Sequence, residues 1–200
     1  MQKKNNYELR IYDETSKGDM YRYGVIHSIK MNDGEVVKIK GSNNLYSILP
    51  KTELVNIEVK YQKSDKEKYP DFLSIRFGLY CANKKARTFL KRMGIEHHSI
   101  KVNVVNETNK VGYEVIYFDQ VNIIDLEKSN LEWKGSQLIT TGKTYLSPID
   151  SQIIPKENVK GIIQLKGYPG VILCDEKIKS ALDQSQLTGF FFKGVSGNND

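Results

Sequence analysis

The stretch Ile162-Ile163-Gln164-Leu165-Lys166-Gly167-Tyr168-Pro169-Gly170-Val171-Ile172-Leu173-Cys174-Asp175-Glu176-Lys177-Ile178-Lys179-Ser180-Ala181-Leu182, followed by Leu187-Thr188-Gly189-Phe190, decides the fold. It reads as strand, tight turn, strand, capped helix, strand. Pro169 and Gly170 fit the two central positions of a type II turn, where proline presets φ and glycine takes a positive φ. Asp175 offers a side-chain oxygen to the free N–H groups of a helix start. Cys174, after Val171-Ile172-Leu173, reads as a small buried apolar residue rather than a thiol activated by the following helix.

Upstream, the same grammar recurs. Asn83 is a good N-cap, and Lys84 to Met93 carries Ala86, Phe89, Leu90 and Met93 at spacings of three and four, a buried stripe. Gly94 ends that helix, because glycine takes a left-handed cap without strain. The run Asn83-Lys84-Lys85-Ala86-Arg87-Thr88-Phe89-Leu90 parallels Asp175 to Leu182: a cap, two charged residues, an apolar residue, then an apolar pair. Any amphipathic helix after a strand has this form, so the echo fits either two related lobes or coincidence.

The remaining segments are strand-rich. Residues 7–12 and 20–30 read as strands, and Asn32-Asp33-Gly34 as the turn of a hairpin returning through Val36, Val37 and Ile39. Leu54 to Tyr61, Ile100 to Val104 and Val111 to Ile124 add further strands, the last as one or two. Residues 62–68 form a charged link, 140–145 a turn region, and Pro148 and Pro155 bracket a connection. The expected fold is α+β, with mixed or antiparallel sheets and a few short capped helices. It is one domain over residues 1–195, or two lobes: a basic one over 1–110 and a second over 111–195. A polar tail follows at 196–200.

Composition sets outer bounds. Two hundred residues with 39% apolar and 27% charged content are ordinary for a globular chain. A chain of this length buries roughly 70% of its unfolded surface, so it needs neither metal nor disulfide to be stable. No run reaches the length of a membrane-spanning helix, and the amino terminus has no apolar secretion signal. With two cysteines, the expectation is a cytoplasmic protein without disulfides. Asn106-Glu107-Thr108 matches a glycosylation acceptor that a cytoplasmic chain does not use. Residues 1–101 hold 20 Lys and Arg against 12 Asp and Glu, and residues 102–200 hold 10 against 12, so +8 and −2 make up the net +6. Such asymmetry bears on association rather than on fold.

Chemistry-bearing patterns are sparse. His97 and His98 are adjacent in a strand-like stretch and point to opposite faces, and neither cysteine has a Cys neighbour at ligand spacing. No Gly-x-Ser-x-Gly occurs, and Gly161, Gly167 and Gly170 are not spaced as a phosphate loop. No catalytic residue, cofactor or metal is assigned. The helix at Lys84 to Arg92 carries five basic residues and no acidic one. Its one aromatic residue, Phe89, falls on the apolar stripe, so a solvated or protein-docking face is preferred to nucleic acid.

Three segments together resemble a family of bacterial immunity proteins of myxobacterial type, formerly a domain of unknown function, which protect a cell from its own polymorphic toxins. They are Tyr69-Pro70-Asp71-Phe72-Leu73 with the capped helix at Asn83, Val121-Asn122-Ile123-Ile124-Asp125-Leu126-Glu127-Lys128-Ser129, and the terminal run with Leu165-Lys166-Gly167 and Leu187-Thr188-Gly189-Phe190. The similarity runs from Tyr69 to Phe192 and is weak over the first 68 residues. Asn83 and Asp175 stand where the family usually has serine caps, and both still cap helices. The resemblance implies a non-enzymatic protein that occludes a cognate toxin, usually encoded beside it. It carries no catalytic residues.

On that reading the candidate partner-binding residues are Arg87, Lys91, Arg92, Trp133 and Tyr168, since Arg and aromatic side chains dominate interface energetics. Trp133 fits the core equally well. A net positive protein matches a basic nuclease poorly, so the toxin is expected to be of another kind. The competing reading is a nucleic-acid-associated or regulatory module using the basic first half. A third, an uncharacterised enzyme, requires a pocket of titratable groups that the sequence does not display.

Overall fold

A computed structural model describes residues 6–11, 22–39, 45–61, 69–75, 79–105, 112–135, 137–142 and 153–195. The charged link 62–68, the triplet 106–108, Pro148 and the tail 196–200 lie outside the described residues. In chain order the elements are β1 (Asn6–Ile11), β2 (Arg22–Met31), β3 (Val36–Val37), α1 (Leu45–Ile48), β4 (Thr52–Tyr61), β5 (Phe72–Ile75), β6 (Leu79–Ala82), α2 (Lys84–Arg92), β7 (His98–Val104), β8 (Glu114–Tyr117), β9 (Gln120–Val121), β10 (Leu131–Lys134), β11 (Gln137–Thr140), β12 (Ile162–Leu165), β13 (Tyr168–Asp175), α3 (Glu176–Asp183) and β14 (Phe190–Val195). The class is α+β, mostly strands in mixed sheets with three short helices among the described residues. None of these helices is long and apolar enough to cross a membrane.

The chain divides into two compact units. One comprises Ile11–Tyr117 and Gln186–Phe191; the other comprises Met1–Arg10, Phe118–Ser185 and Phe192–Asp200. Each unit therefore takes a segment from the far end of the sequence.

The first unit is a closed barrel. Its strands run in the order β3-β2-β4-β7-β8-β6-β5, and β5 pairs back onto β2, leaving β3 as a short spur. The β4–β7 and β2–β5 pairings are parallel and the others antiparallel. Strand alternation sends Val55, Ile57 and Val59 of β4, Leu73 and Ile75 of β5 and Leu79 and Cys81 of β6 into one core. Leu45 of α1 and Leu49 of the following 3-10 turn belong to the same core. Six strands enclose little more than their own side chains, so the interior is packed rather than hollow. Gly24 pairs with Ile75 where the barrel closes, and a Cβ there would stand 3.2 Å from Ile75 Cγ1. On the outer surface, Asn56 Nδ2 donates to Ser28 Oγ and Asn103 Nδ2 donates to Asn56 Oδ1, both at 3.0 Å, linking β2, β4 and β7.

The hairpin expected at Asn32-Asp33-Gly34 forms. Gly34 alone has a positive φ, its N–H donates to Met31 O, and Met31 N donates to Glu35 O. The loop has three residues with a bulge at the glycine, instead of a two-residue turn with both φ angles positive. Its return strand stops at Val37, short of Ile39.

The carboxyl-terminal segment is locked to this unit through Asp71, which is 7% exposed. Its carboxylate accepts from Asn83 Nδ2 at 2.8 Å, Thr188 N at 3.0 Å and Thr188 Oγ1 at 3.2 Å. Asp71 N donates to Thr188 Oγ1 and Phe72 N to Thr188 O. Gly189, at φ +90°, packs against the Phe72 carbonyl, where any Cβ would overlap that oxygen. Phe72 and Phe190 meet edge to face at 5.8 Å.

The second unit is a five-stranded sheet in the order β14-β1-β13-β12-β9, with the β10–β11 hairpin. Val171 and Leu173 of β13 join Leu131, Leu138, Ile153 and Val159 in a core on one face. On the other face lies α3: Tyr7 Oη donates to Glu176, and Lys179 Nζ sits 5.2 Å and 5.5 Å from the Tyr7 and Phe192 ring centres. The turn between β12 and β13 falls at Lys166-Gly167, with Leu165 paired to Tyr168; Gly167 has φ +79°. This replaces the expected turn at Pro169-Gly170, because both residues are absorbed into β13. Gly167 lies beneath the Trp133 ring, with a Cβ position 2.6 Å from Cη2. Asp125 caps a turn by accepting from Lys128 N, and Ser129, 2% exposed, accepts from Ile154 N at 2.9 Å.

Each unit contains a strand–helix–strand passage around one intervening strand. In the barrel, β6–α2–β7 flanks β8; in the open sheet, β13–α3–β14 flanks β1. The caps of both helices are made as expected: Asn83 Oδ1 accepts from Ala86 N at 3.0 Å and Asp175 Oδ1 from Ile178 N at 2.9 Å.

Candidate functional site

The basic helix α2 forms one wall of an open concavity of about 610 Å³ in the barrel unit. Ala86, Phe89 and Leu90 are buried, so the apolar stripe fixes how the helix is rolled. The opposite stripe, Lys84, Arg87, Thr88 and Lys91, then follows the i, i+3, i+4, i+7 spacing of a single face and lines the concavity. The helix ends in a Schellman motif. Ile95 N donates to Leu90 O and Gly94 N to Lys91 O, with Gly94 at φ +68°. That reversal carries the chain across the mouth, so Gly94 to His97 form a second wall and Ser99 of β7 and Glu114 of β8 the third. His97 is held in place by its Nδ1, 3.0 Å from Ile95 O.

The five cations of α2 differ in what they touch. Arg87, 19% exposed at its side chain, forms an ion pair with Glu114 through Nη1. Lys85 turns away, donating to Gln186 O at 3.0 Å and standing 3.5 Å from Asp71. Arg92 lies over the ring of Phe89 on its own helix, 5.5 Å from the centroid. Lys84 and Lys91 are exposed, and neither ammonium has a hydrogen bond or ion pair among the described residues. The concavity therefore presents two ammonium groups without an ion pair, the carboxylate of Glu96, one Arg whose donors are not all used, and the hydroxyls of Thr88 and Ser99. Thr88 Oγ1 donates to Lys84 O at 2.8 Å.

Of the residues expected to bind a partner, Arg87 and Lys91 line this concavity together, and Arg92 lies on the same helix outside it. Trp133 belongs to the other unit, half-buried over Gly167 beside the core of Leu131 and Leu138. Tyr168 begins β13, and its side chain lies outside the described residues. Glu114, Glu96, His97 and Ser99 were not foreseeable as neighbours of α2. Only Lys84 and Thr88 shared a visible signal, the helical spacing itself.

The two thiols are sequestered. Cys81 and Cys174 are both free and buried. Burial, with the charge of Asp175 added, pushes the Cys174 thiol up to about 12, and burial alone pushes Cys81 higher still. Among the described residues no group of three His, Cys, Asp or Glu side chains is placed to hold a metal ion. The sequence matches no protein-family model and no curated protein.

Proposed function

We propose that this chain is an immunity protein that binds a cognate bacterial toxin and neutralises it by occlusion, without chemistry of its own. The observation that carries the reading is the Asp71 lock. Two of the segments that resemble the immunity family, Tyr69 to Leu73 and Leu187 to Phe190, lie more than a hundred residues apart in sequence. They close on each other through Asp71, Thr188 and Gly189. Their meeting in space supports reading the segments that carry the resemblance as one structural pattern. Gly167 beneath Trp133, and Asp125 with Ser129 against Ile154, belong to the same pattern and are likewise locks. The pattern fixes the scaffold and leaves the partner to the surface.

The expectation of a cytoplasmic location goes with this reading, because an antitoxin must meet its toxin before release. The test is co-expression with the product of the neighbouring gene. A stable 1:1 complex on size exclusion, with growth restored to cells poisoned by that product, is the expected result. A toxic neighbour that neither binds this protein nor is relieved by it overturns the proposal.

A further inference from the structure

We infer that the α2 concavity is a docking site for an acidic segment of a protein partner, held in extended conformation between Lys84 and Lys91. This deepens the function proposed above and rests on it only for the identity of the partner. Lys84 and Lys91 line the same concavity with no acidic partner among the described residues, while the other three cations of α2 are engaged by Glu114, by Gln186 O and Asp71, or by the Phe89 ring. With Arg87 paired to Glu114, the lining holds Lys84 and Lys91 against Glu96 alone, and this excess of positive charge favours an oppositely charged ligand.

Spacing then narrows the ligand. Residues seven apart on a helix are separated by about 10.5 Å along its axis at 1.5 Å per residue. A peptide extended in the polyproline II conformation rises about 3.1 Å per residue with three residues per turn, so carboxylates three residues apart lie on one face, span about 9 Å and match both ammonium groups. Between them the Arg87 guanidinium, anchored through Nη1 to Glu114, presents its remaining N–H donors to a backbone carbonyl or a third carboxylate. Thr88 and Ser99 supply neutral hydroxyls to the same lining.

The lining disfavours nucleic acid. Glu96 and Glu114 contribute two carboxylates to the same concavity, which a phosphate chain carrying one charge per about 1.7 Å of duplex would have to face. The one aromatic ring of α2, Phe89, is buried and unavailable for base stacking. A peptide places its charges sparsely enough to meet the lysines and avoid the glutamates.

The experiment is an NMR titration of the whole isotope-labelled protein with three probes. These are a ten-residue peptide of repeating Gly-Glu-Ser, the same peptide with glutamine for glutamate, and a ten-nucleotide oligo-dT. Shifts confined to Thr88, Lys91 and Gly94 to Ser99 with the glutamate peptide, at least tenfold weaker with the glutamine peptide and in K84E/K91E, are expected. Failure of the glutamate peptide to shift those amides overturns the inference, as does tighter binding of oligo-dT there or a loss of threefold or less in K84E/K91E. Both lysines are exposed, and an unchanged amide spectrum outside α2 certifies that the variant folds. Toxin neutralised equally well by wild type and K84E/K91E also overturns the inference while leaving the immunity function standing. A neighbour that is not bound at all overturns the function and leaves the peptide titration to be read by itself.

Discussion

Replacing Asp71 by alanine removes the acceptor for three hydrogen bonds, two from Thr188 that hold residues 186–191 in the barrel unit and one from Asn83 Nδ2. Hydrogen bonds to a charged group contribute about 1.5–3 kcal/mol each in net terms, and a buried donor left without a partner costs about 1–3 kcal/mol. Thr188 is exposed, so its hydroxyl and part of its N–H regain water; Asn83 is half-buried and regains less. The carboxylate in turn sheds its own desolvation penalty on removal. The sum falls at the lower end, about 2–4 kcal/mol of destabilisation by those principles. Thr188→Ala deletes one accepted and one donated bond at an exposed position and should cost about 1 kcal/mol. Because the two side chains share the Oγ1–Oδ2 bond, the double variant should be less damaged than the two losses combined, by a coupling of about 0.5 kcal/mol. The assay is urea unfolding followed by far-UV circular dichroism, with Trp133 fluorescence as a separate report on the other unit. An Asp71→Ala effect under about 0.5 kcal/mol, or a coupling indistinguishable from zero, refutes the lock and with it the observation on which the proposed function stands.

Gly167→Ala forces a side chain into a left-handed backbone position and against the Trp133 ring, and should cost about 2–4 kcal/mol with a red shift of tryptophan emission; unchanged emission refutes the packing. Both cysteines should resist a thiol-specific disulfide reagent in the native protein and react once it unfolds, whereas rapid native labelling contradicts their burial. Their neutral forms are favoured by folding, so this contribution to stability is whole below about 9.0, the ordinary thiol value, and is lost as pH rises toward about 12 for Cys174. Stability should therefore fall with pH above that point, and less steeply in Cys174→Ala; an identical slope in the variant speaks against the shift.

What was legible in the sequence was local. Asn83 and Asp175 cap their helices because capping depends on the next three residues alone, and Gly94 ends α2 for the same reason. Of the α2 stripe, Ala86, Phe89 and Leu90 lie inside as read and Lys84 and Lys91 outside, while Met93 is only half-buried because it is the C-cap, where the helix has ended. What was not legible was closure. The β2–β5 pairing that turns a sheet into a barrel joins Gly24 to Ile75 across fifty residues, and neither residue announces the other. The turn before β13 moved from Pro169-Gly170 to Lys166-Gly167 because register is set by the pairing of Ile162 to Leu165 with β13, which outweighs a local turn preference. The candidate site was half visible for the same reason. A helix face is periodic and can be read, but Glu114, which decides that Arg87 is engaged while Lys91 is not, comes from a strand in another part of the chain.

The locks and the cations also differ in what a substitution disturbs. Asp71, Gly167 and Gly189 each meet backbone or a buried ring, so change there propagates into the fold. Lys84 and Lys91 touch nothing charged among the described residues, and substitutions at such exposed sites usually alter stability by no more than about 0.5 kcal/mol. The charge of the concavity can therefore be rewritten without cost to the scaffold. The proposed function calls for that separation, because a neutralising protein's partner is set by the toxin it must meet, whereas its fold is set by its own locks. K84E/K91E should then do more than lose an acidic ligand. With Glu96 and Glu114 already in the lining, the reversed concavity becomes uniformly acidic around Arg87, and it should acquire affinity for a basic peptide that the wild-type protein ignores.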